Sequence, residues 1–152
     1  MRRGENEHRT LCKWFRRVIV GVGVDIVDCR RIAKSIERFG DRFLSRIFTD
    51  AEQAQAAGRA DQTLYFAKRF AAKEAIYKAL SASGVEGLGW QDADIANNVR
   101  GAPVVTLTGA CKTALERLTP DGYNPEISIS LSDEPPHALA FVVLSVIGPQ
   151  DQ

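Results

Sequence analysis

The sequence predicts one α+β domain, with a mostly antiparallel sheet packed against helices. Three observations support this fold class. A β-branched segment with strand character opens the domain at residues 18–26, three helical segments follow it, and two further strand-like segments close the chain. The 152 residues contain no internal repeat and no linker-like stretch, and a hydrophobic content of 45% is enough for one core. We therefore predict a single domain over residues 18–152.

The first strand is predicted from the β-branched run Val18-Ile19-Val20-Gly21-Val22-Gly23-Val24-Asp25-Ile26. Its two glycines indicate a bulge or a close approach by another group. They are a weak dinucleotide-binding signal, because the third glycine of that fingerprint is missing. Asp25 would be costly in such a run unless it binds a cation or accepts hydrogen bonds. The alternative is a cap for the next helix, a role that suits Asp28 better.

Capping signals predict the helices that follow. The first helix spans residues 29–39, and the pair Thr49 and Glu52 forms a capping-box pattern for a short helix that ends at Gly58. Asp61 is placed to cap a long helix that stops before Gly84. The remaining predicted elements are a hairpin of residues 94–98 and 104–107, a helix of residues 109–118 capped by Thr108, and strands of residues 127–133 and 138–146.

The long helix combines small residues with a cluster of charges. Arg69 and Lys73 form one row on an alanine-rich background, and Glu74 and Lys78 form a neighbouring row four residues apart. One carboxylate among several cations suits a metal-bridged phosphate, with Glu on the ion and Lys and Arg on phosphate oxygens. The alternative is an exposed helix with an ordinary Glu74–Lys78 salt bridge.

The first helix has one apolar and one basic side. Ile32, Ile36 and Phe39 form the apolar stripe, whereas the other side carries Arg30, Arg31, Lys34 and Arg38. Two interpretations remain open, a solvated basic face and a docking surface for an acidic partner.

Composition excludes several classes of protein. A formal net charge of +1 lacks the broad basic excess of a nucleic-acid binder, and no apolar run approaches the length of a membrane span. The 3 cysteines form no C-x-x-C pair, which argues against a disulfide framework or zinc site and predicts a reducing, cytoplasmic location. Residues 1–17 lack the apolar core of a secretory signal, and we predict that they are a basic, disordered extension.

Two motifs in this order carry a family resemblance. The first motif is Gly21-Val-Gly-Val-Asp25-Ile, followed by Arg31-Ile32. The second is Arg69-Phe-Ala-Ala-Lys73-Glu74-Ala-Ile-Tyr-Lys78-Ala. Together they resemble holo-acyl-carrier-protein synthase, the small bacterial 4′-phosphopantetheinyl transferase. The resemblance extends from about residue 18 to the C-terminus. It implies transfer of the 4′-phosphopantetheine arm of coenzyme A to a serine of apo acyl carrier protein, which releases adenosine 3′,5′-bisphosphate. Fatty acid biosynthesis is the default pathway.

The resemblance also implies roles for individual residues. Asp25 and Glu74 would ligate Mg²⁺, with Mn²⁺ as an alternative ion. Arg69, Lys73 and Lys78 would contact coenzyme A phosphates. Glu74, a metal-bound water and Lys78 remain open as the general base that takes the serine proton.

Two kinds of partner follow from the same resemblance. Arg30, Arg31 and Lys34 would dock the acidic carrier protein, and Arg31 matches the family's principal arginine there. The family is typically a homotrimer with sites at subunit interfaces, an arrangement in which Asp25 of one chain is expected near Glu74 of its neighbour.

The sequence departs from the family pattern at two places. Residues 81–84, Ser-Ala-Ser-Gly, replace a Gly-Thr-Gly turn near the nucleotide, and Asp133 stands where many members have His. Two rival functions also remain, a nucleotide-binding module without catalysis and an adaptor that binds acidic helical proteins. A larger carrier-protein transferase is disfavoured because the chain shows no duplicated halves.

Overall fold

A computed structural model describes residues 16–149 of the chain, and it confirms the α+β prediction. Most of the predicted extension, residues 1–15, lies outside the described residues, as do residues 150–152. The first strand begins at Arg17, one residue before its predicted start at Val18. The elements in chain order are β1 Arg17–Asp28, α1 Cys29–Phe39, α2 Asp41–Ile47, α3 Asp50–Ala57, α4 Gln62–Leu80, β2 Ala93–Asn97, β3 Pro103–Leu107, α5 Gly109–Leu118, β4 Asn124–Glu134 and β5 His137–Ile147.

The strands form two separate antiparallel sheets. One sheet has three strands in the order β1-β5-β4, so the first and last strands of the domain pair with each other. The other sheet is the hairpin of β2 and β3. The register of β1 on β5 places Gly23 opposite Val142 and Asp25 opposite Ala140. Because successive side chains of a strand point to opposite faces, Gly21, Gly23 and Asp25 share one face of this sheet.

Helix α4 packs directly on that face, and the two glycines explain how it can. A Cβ atom at Gly21 would lie 2.2 Å from the carbonyl oxygen of Ala79, and one at Gly23 would lie 1.8 Å from that of Ala75. Only glycine fits where a helix backbone approaches a strand this closely. The predicted close approach is therefore confirmed, and the group that approaches is the long helix itself.

The predicted caps are present in three of four cases. Thr49 and Glu52 form the full capping box, with bonds of 3.1 and 3.0 Å, and the Asp61 carboxylate accepts the N–H of Leu64 at 2.9 Å. Thr108 makes no side-chain capping bond. Instead Asp92 accepts the N–H groups of Ala110 and Gly89, at 3.1 and 3.0 Å, so one carboxylate serves α5 and the turn before β2.

Sequence patterns did not predict helix α2. It is a helix of seven residues, separated from α1 by Gly40, whose positive φ of 52° turns the chain. A segment this short contains too few residues to show a helical period, and tertiary packing stabilises it, including the burial of Ile47 in the core. None of the helices within residues 16–149 has both the length and the apolar composition needed to cross a bilayer.

Candidate metal and phosphate site

Asp25 is the first residue of the candidate site, and strand β1 holds it against α4. Its side chain is 17% exposed and accepts a hydrogen bond at 2.8 Å from the ammonium nitrogen, Nζ, of Lys78. The same nitrogen donates to the carbonyl oxygen of Val24 at 2.8 Å. Asp25 is thus a partly buried carboxylate with a cationic partner. Such a partner is expected, because burying an unpaired charge is energetically unfavourable.

Glu74 lies one turn before Lys78 on α4 and shares this environment. Burial raises the pKa of Glu74, the negative charge of Asp25 raises it further, and the positive charge of Lys78 opposes both effects. Two carboxylates and one ammonium group therefore interact within a single chain. The expectation that Asp25 meets Glu74 of a neighbouring subunit concerns an assembly of several chains and stays a prediction.

The pair of carboxylates fits a hard divalent cation. Mg²⁺ binds through one or two carboxylates and takes its other ligands from waters and substrate phosphates. Residues 16–149 contain no group of three or more His, Cys, Asp or Glu side chains that would form a complete metal site of their own. The donor set thus suits a hard divalent cation such as Mg²⁺ or Mn²⁺ and does not suit zinc.

Lys73 faces away from this site, which corrects its predicted role. It is fully buried, and its Nζ forms an ion pair of 3.0 Å with Glu52. It also donates to the carbonyl oxygens of Trp90, at 2.9 Å, and Ala93. All three ammonium hydrogens are therefore used inside the protein. In this arrangement Lys73 has no donor left for a coenzyme A phosphate.

Arg69 belongs to the same buried row as Lys73. Its side chain is 3% exposed, donates to the amide oxygen of Asn97 on β2 and stacks 4.6 Å from the centre of the Tyr65 ring. The two rows of charges on α4 thus have different surroundings. Arg69 and Lys73 face β2, whereas Glu74 and Lys78 face Asp25 on β1. Of the three residues predicted to contact phosphate, only Lys78 therefore lies beside Asp25.

The predicted docking residues lie on the exposed side of α1. Asp28 caps this helix, as predicted, by accepting the N–H of Arg30 at 2.9 Å. Its carboxylate also binds the Arg30 guanidinium, and these hydrogen bonds lower the pKa of Asp28 to about 2. Arg31 and Lys34 lie on the same helix, and both side chains are exposed.

A cavity beside α1 was not anticipated from the sequence. It has a volume of about 250 Å³ and is lined by Phe39, Arg42, Phe43 and Arg46. The available signal was the spacing of Arg42 and Arg46, which are four residues apart and would share a face if the segment were helical. Because helix α2 was not predicted, neither arginine was assigned to a surface from the sequence.

The two departures from the family pattern have local partners. Asp133 at the end of β4 forms an ion pair of 2.9 Å with Lys68 of α4, so its negative charge is balanced. Ser81 donates to the carbonyl oxygen of Lys78 at 2.8 Å, and Gly84 has a φ of 67°, which supplies the turn after α4. Neither set of contacts involves the side chains of Asp25, Glu74 or Lys78.

Comparison with known proteins agrees with this geometry. A family model of the 4′-phosphopantetheinyl transferase superfamily matches residues 21–140. The holo-[acyl-carrier-protein] synthase of Nitrobacter hamburgensis is 49% identical over 136 residues, which cover 87% of this chain and 98% of that enzyme. The chain belongs to the holo-acyl-carrier-protein synthase family. A second member, from Xanthobacter autotrophicus, is 48% identical over 130 residues, covering 86% of this chain and 96% of its own.

Solved holo-acyl-carrier-protein synthases share the fold. The enzyme from Neisseria meningitidis has a TM-score of 0.69 and 34% identity, and the match covers 84% of this chain and 98% of that one. The enzyme from Bacillus anthracis, solved in complex with CoA (3′,5′-ADP), has a TM-score of 0.63 and 30% identity, covering 86% and 98%. As a holo-acyl-carrier-protein synthase family member, the chain is a transferase enzyme, and the adaptor and non-catalytic interpretations are set aside.

Proposed function

We propose that this enzyme transfers 4′-phosphopantetheine from coenzyme A to a serine of apo acyl carrier protein in a Mg²⁺-dependent reaction of cytoplasmic fatty acid biosynthesis. The observation that carries the proposal is the interaction of Asp25, Glu74 and Lys78 across β1 and α4. The serine oxygen forms a bond to the phosphorus of the pantetheine arm. The bond to the bridging oxygen breaks, and adenosine 3′,5′-bisphosphate leaves.

Each of the three residues has a part in this reaction. Asp25 and Glu74 hold the divalent cation, which when bound neutralises charge on the pyrophosphate. Lys78 is half exposed and contacts a phosphate oxygen as a second source of positive charge. Glu74 and Lys78 are the side chains of this site that we propose as candidates to take the serine proton.

Loss of either carboxylate should nearly abolish the reaction. Purified enzyme, coenzyme A, Mg²⁺ and an apo acyl carrier protein are mixed, and the carrier is weighed by intact-mass spectrometry. We expect a gain of one phosphopantetheine, with Asp25→Asn and Glu74→Gln slowing it by roughly 100-fold or more because charge stabilisation is lost. The exposed Glu86→Gln variant is the matched control and should react at the wild-type rate. Full activity in both site variants, or in the presence of a chelator, would contradict the proposal.

The basic side of α1 is the proposed docking surface for the carrier. Arg31 and Lys34 suit an acidic helical protein, and Arg42 and Arg46 of α2 extend the positive charge beside an apolar cavity. Arg31→Ala should raise the KM for the carrier by about tenfold at low salt and leave kcat unchanged, because rim charges act mainly on association. Arg117→Ala, at an exposed position of α5, is the control. A fall in kcat at unchanged KM would argue against docking.

The second face of the three-stranded sheet supports the proposed homotrimer, with sites at subunit interfaces. Val22, Val24 and Ile26 are 52, 49 and 60% exposed, and Phe141, which pairs with Val24, is 42% exposed. Such an apolar face is typical of a surface that another copy of the chain covers. The three-fold number rests on the family resemblance.

Introducing a charge on this face should break the assembly. Phe141→Asp is expected to sediment as a monomer, because an unpaired carboxylate in an apolar interface is strongly unfavourable. Val99→Asp, in the exposed turn between β2 and β3, should leave the sedimentation coefficient unchanged. A wild-type protein that sediments as a monomer and still modifies the carrier would refute the trimer.

A further inference from the structure

Lys78 forms an ion pair with Asp25, the carboxylate that we propose as a cation ligand. The Nζ of Lys78 lies 2.8 Å from Asp25 Oδ1 and 2.8 Å from the carbonyl oxygen of Val24. Its side chain is 52% exposed, so the ammonium group is able to leave Asp25 without opening the core. Asp25, in contrast, is 17% exposed, and its backbone belongs to strand β1.

The Asp25 carboxylate therefore has two possible positive partners, the Lys78 ammonium and a divalent cation. A divalent cation held by Asp25 and Glu74 would lie close to the position of the Lys78 ammonium, and two cations at such a distance repel each other. Lys78 must move, or must weaken the cation's hold on Asp25. Its alternative partner is a phosphate oxygen, which binds an ammonium group through a charge-assisted hydrogen bond.

We propose that Lys78 competes with the divalent cation for Asp25, and that coenzyme A relieves this competition by drawing Lys78 onto its phosphates. This inference rests on the proposed metal-dependent transfer and adds a coupling to it. Cation and coenzyme A then each strengthen the binding of the other through Lys78, because whichever binds first displaces the ammonium from the carboxylate. Lys78 is thus a switch between the empty and the loaded site as well as a phosphate contact.

The test measures metal binding directly, with Mn²⁺ as the probe. Free Mn²⁺ is followed by electron paramagnetic resonance in titrations of the full chain, as wild type, Lys78→Met and Lys78→Arg. Without coenzyme A, we expect Lys78→Met to bind Mn²⁺ about tenfold more tightly than wild type, since one competing charge is gone. Lys78→Arg keeps that charge and should resemble wild type. Lys112→Met removes an exposed charge of α5 and controls for the general change in net charge.

The second half of the test adds saturating coenzyme A, after Mn²⁺ binding to free coenzyme A has been measured without protein. Coenzyme A phosphates add ligands to the ion in every variant, so the informative quantity is the gain in Mn²⁺ affinity. We expect this gain to be about tenfold larger in wild type than in Lys78→Met.

The outcomes separate this inference from the function on which it rests. Equal Mn²⁺ affinity of wild type and Lys78→Met, or weaker binding by Lys78→Met, would overturn the competition and leave the metal-dependent transfer standing. The absence of Mn²⁺ binding in every variant, with or without coenzyme A, would overturn both. Tighter binding in Lys78→Met with an unchanged gain from coenzyme A would overturn the coupling.

Discussion

Replacing Gly23 by alanine is expected to lower the free energy of unfolding by roughly 4 kcal/mol or more and to abolish carrier modification. The new Cβ would lie 1.8 Å from the carbonyl oxygen of Ala75 and 2.8 Å from the backbone nitrogen of Ala79. Both contacts are with backbone, so no side-chain rotation relieves them and α4 has to move away from β1. Because Glu74 and Lys78 lie on α4 and Asp25 on β1, this movement also separates the site residues.

Urea denaturation and the intact-mass assay measure the two effects of this substitution. Gly58→Ala is the matched control, since Gly58 has a φ of −90° and a Cβ added there would meet no atom within 4 Å. It should leave stability within about 0.5 kcal/mol of wild type and activity intact. A Gly23→Ala variant as stable and active as Gly58→Ala would show that α4 does not approach β1 as described.

Replacing Lys73 by methionine should cost about 3–5 kcal/mol of unfolding free energy, the range for breaking a buried ion pair. The substitution leaves the Glu52 carboxylate, which is 1% exposed, without its cationic partner. Glu52 keeps its bonds from the N–H groups of Thr49 and Ile95, at 3.0 and 2.9 Å, but these do not neutralise its charge. Adding Glu52→Gln to the variant should restore part of the loss, because the unpaired charge is removed.

The affinity of the Lys73→Met variant for coenzyme A tests whether Lys73 has a structural role in the core or contacts phosphate, as the sequence predicted. Calorimetry at a temperature where the variant stays folded should give the wild-type affinity for coenzyme A, because the ammonium group of Lys73 already has three internal acceptors. Lys112→Met, on the surface of α5, is the control for loss of a positive charge. A large loss of coenzyme A affinity in Lys73→Met alone would return Lys73 to the phosphate site.

Local signals were sufficient for most of the fold. The β-branched run of β1, the capping box of Thr49 and Glu52, and the cap residues Asp28 and Asp61 depend on side chains within four residues of the backbone groups that they serve. Such interactions are encoded in short windows of sequence. The α5 cap was predicted wrongly for the same reason, because its carboxylate comes from Asp92, many residues before the helix.

The sequence by itself also determined the family resemblance, because the motif with Asp25 and the motif with Glu74 and Lys78 are both visible in it. What tertiary packing alone decided is the direction in which each charge on α4 points. Arg69 and Lys73 look as suitable for phosphate as Lys78 in the sequence, since spacing along a helix defines rows of side chains but not their surroundings. The glycines of β1 place the Glu74–Lys78 row at Asp25, and β2 with Glu52 encloses the other row in the core. Burial then determines which cations remain available to a ligand, because a buried ammonium must have its partners inside the protein.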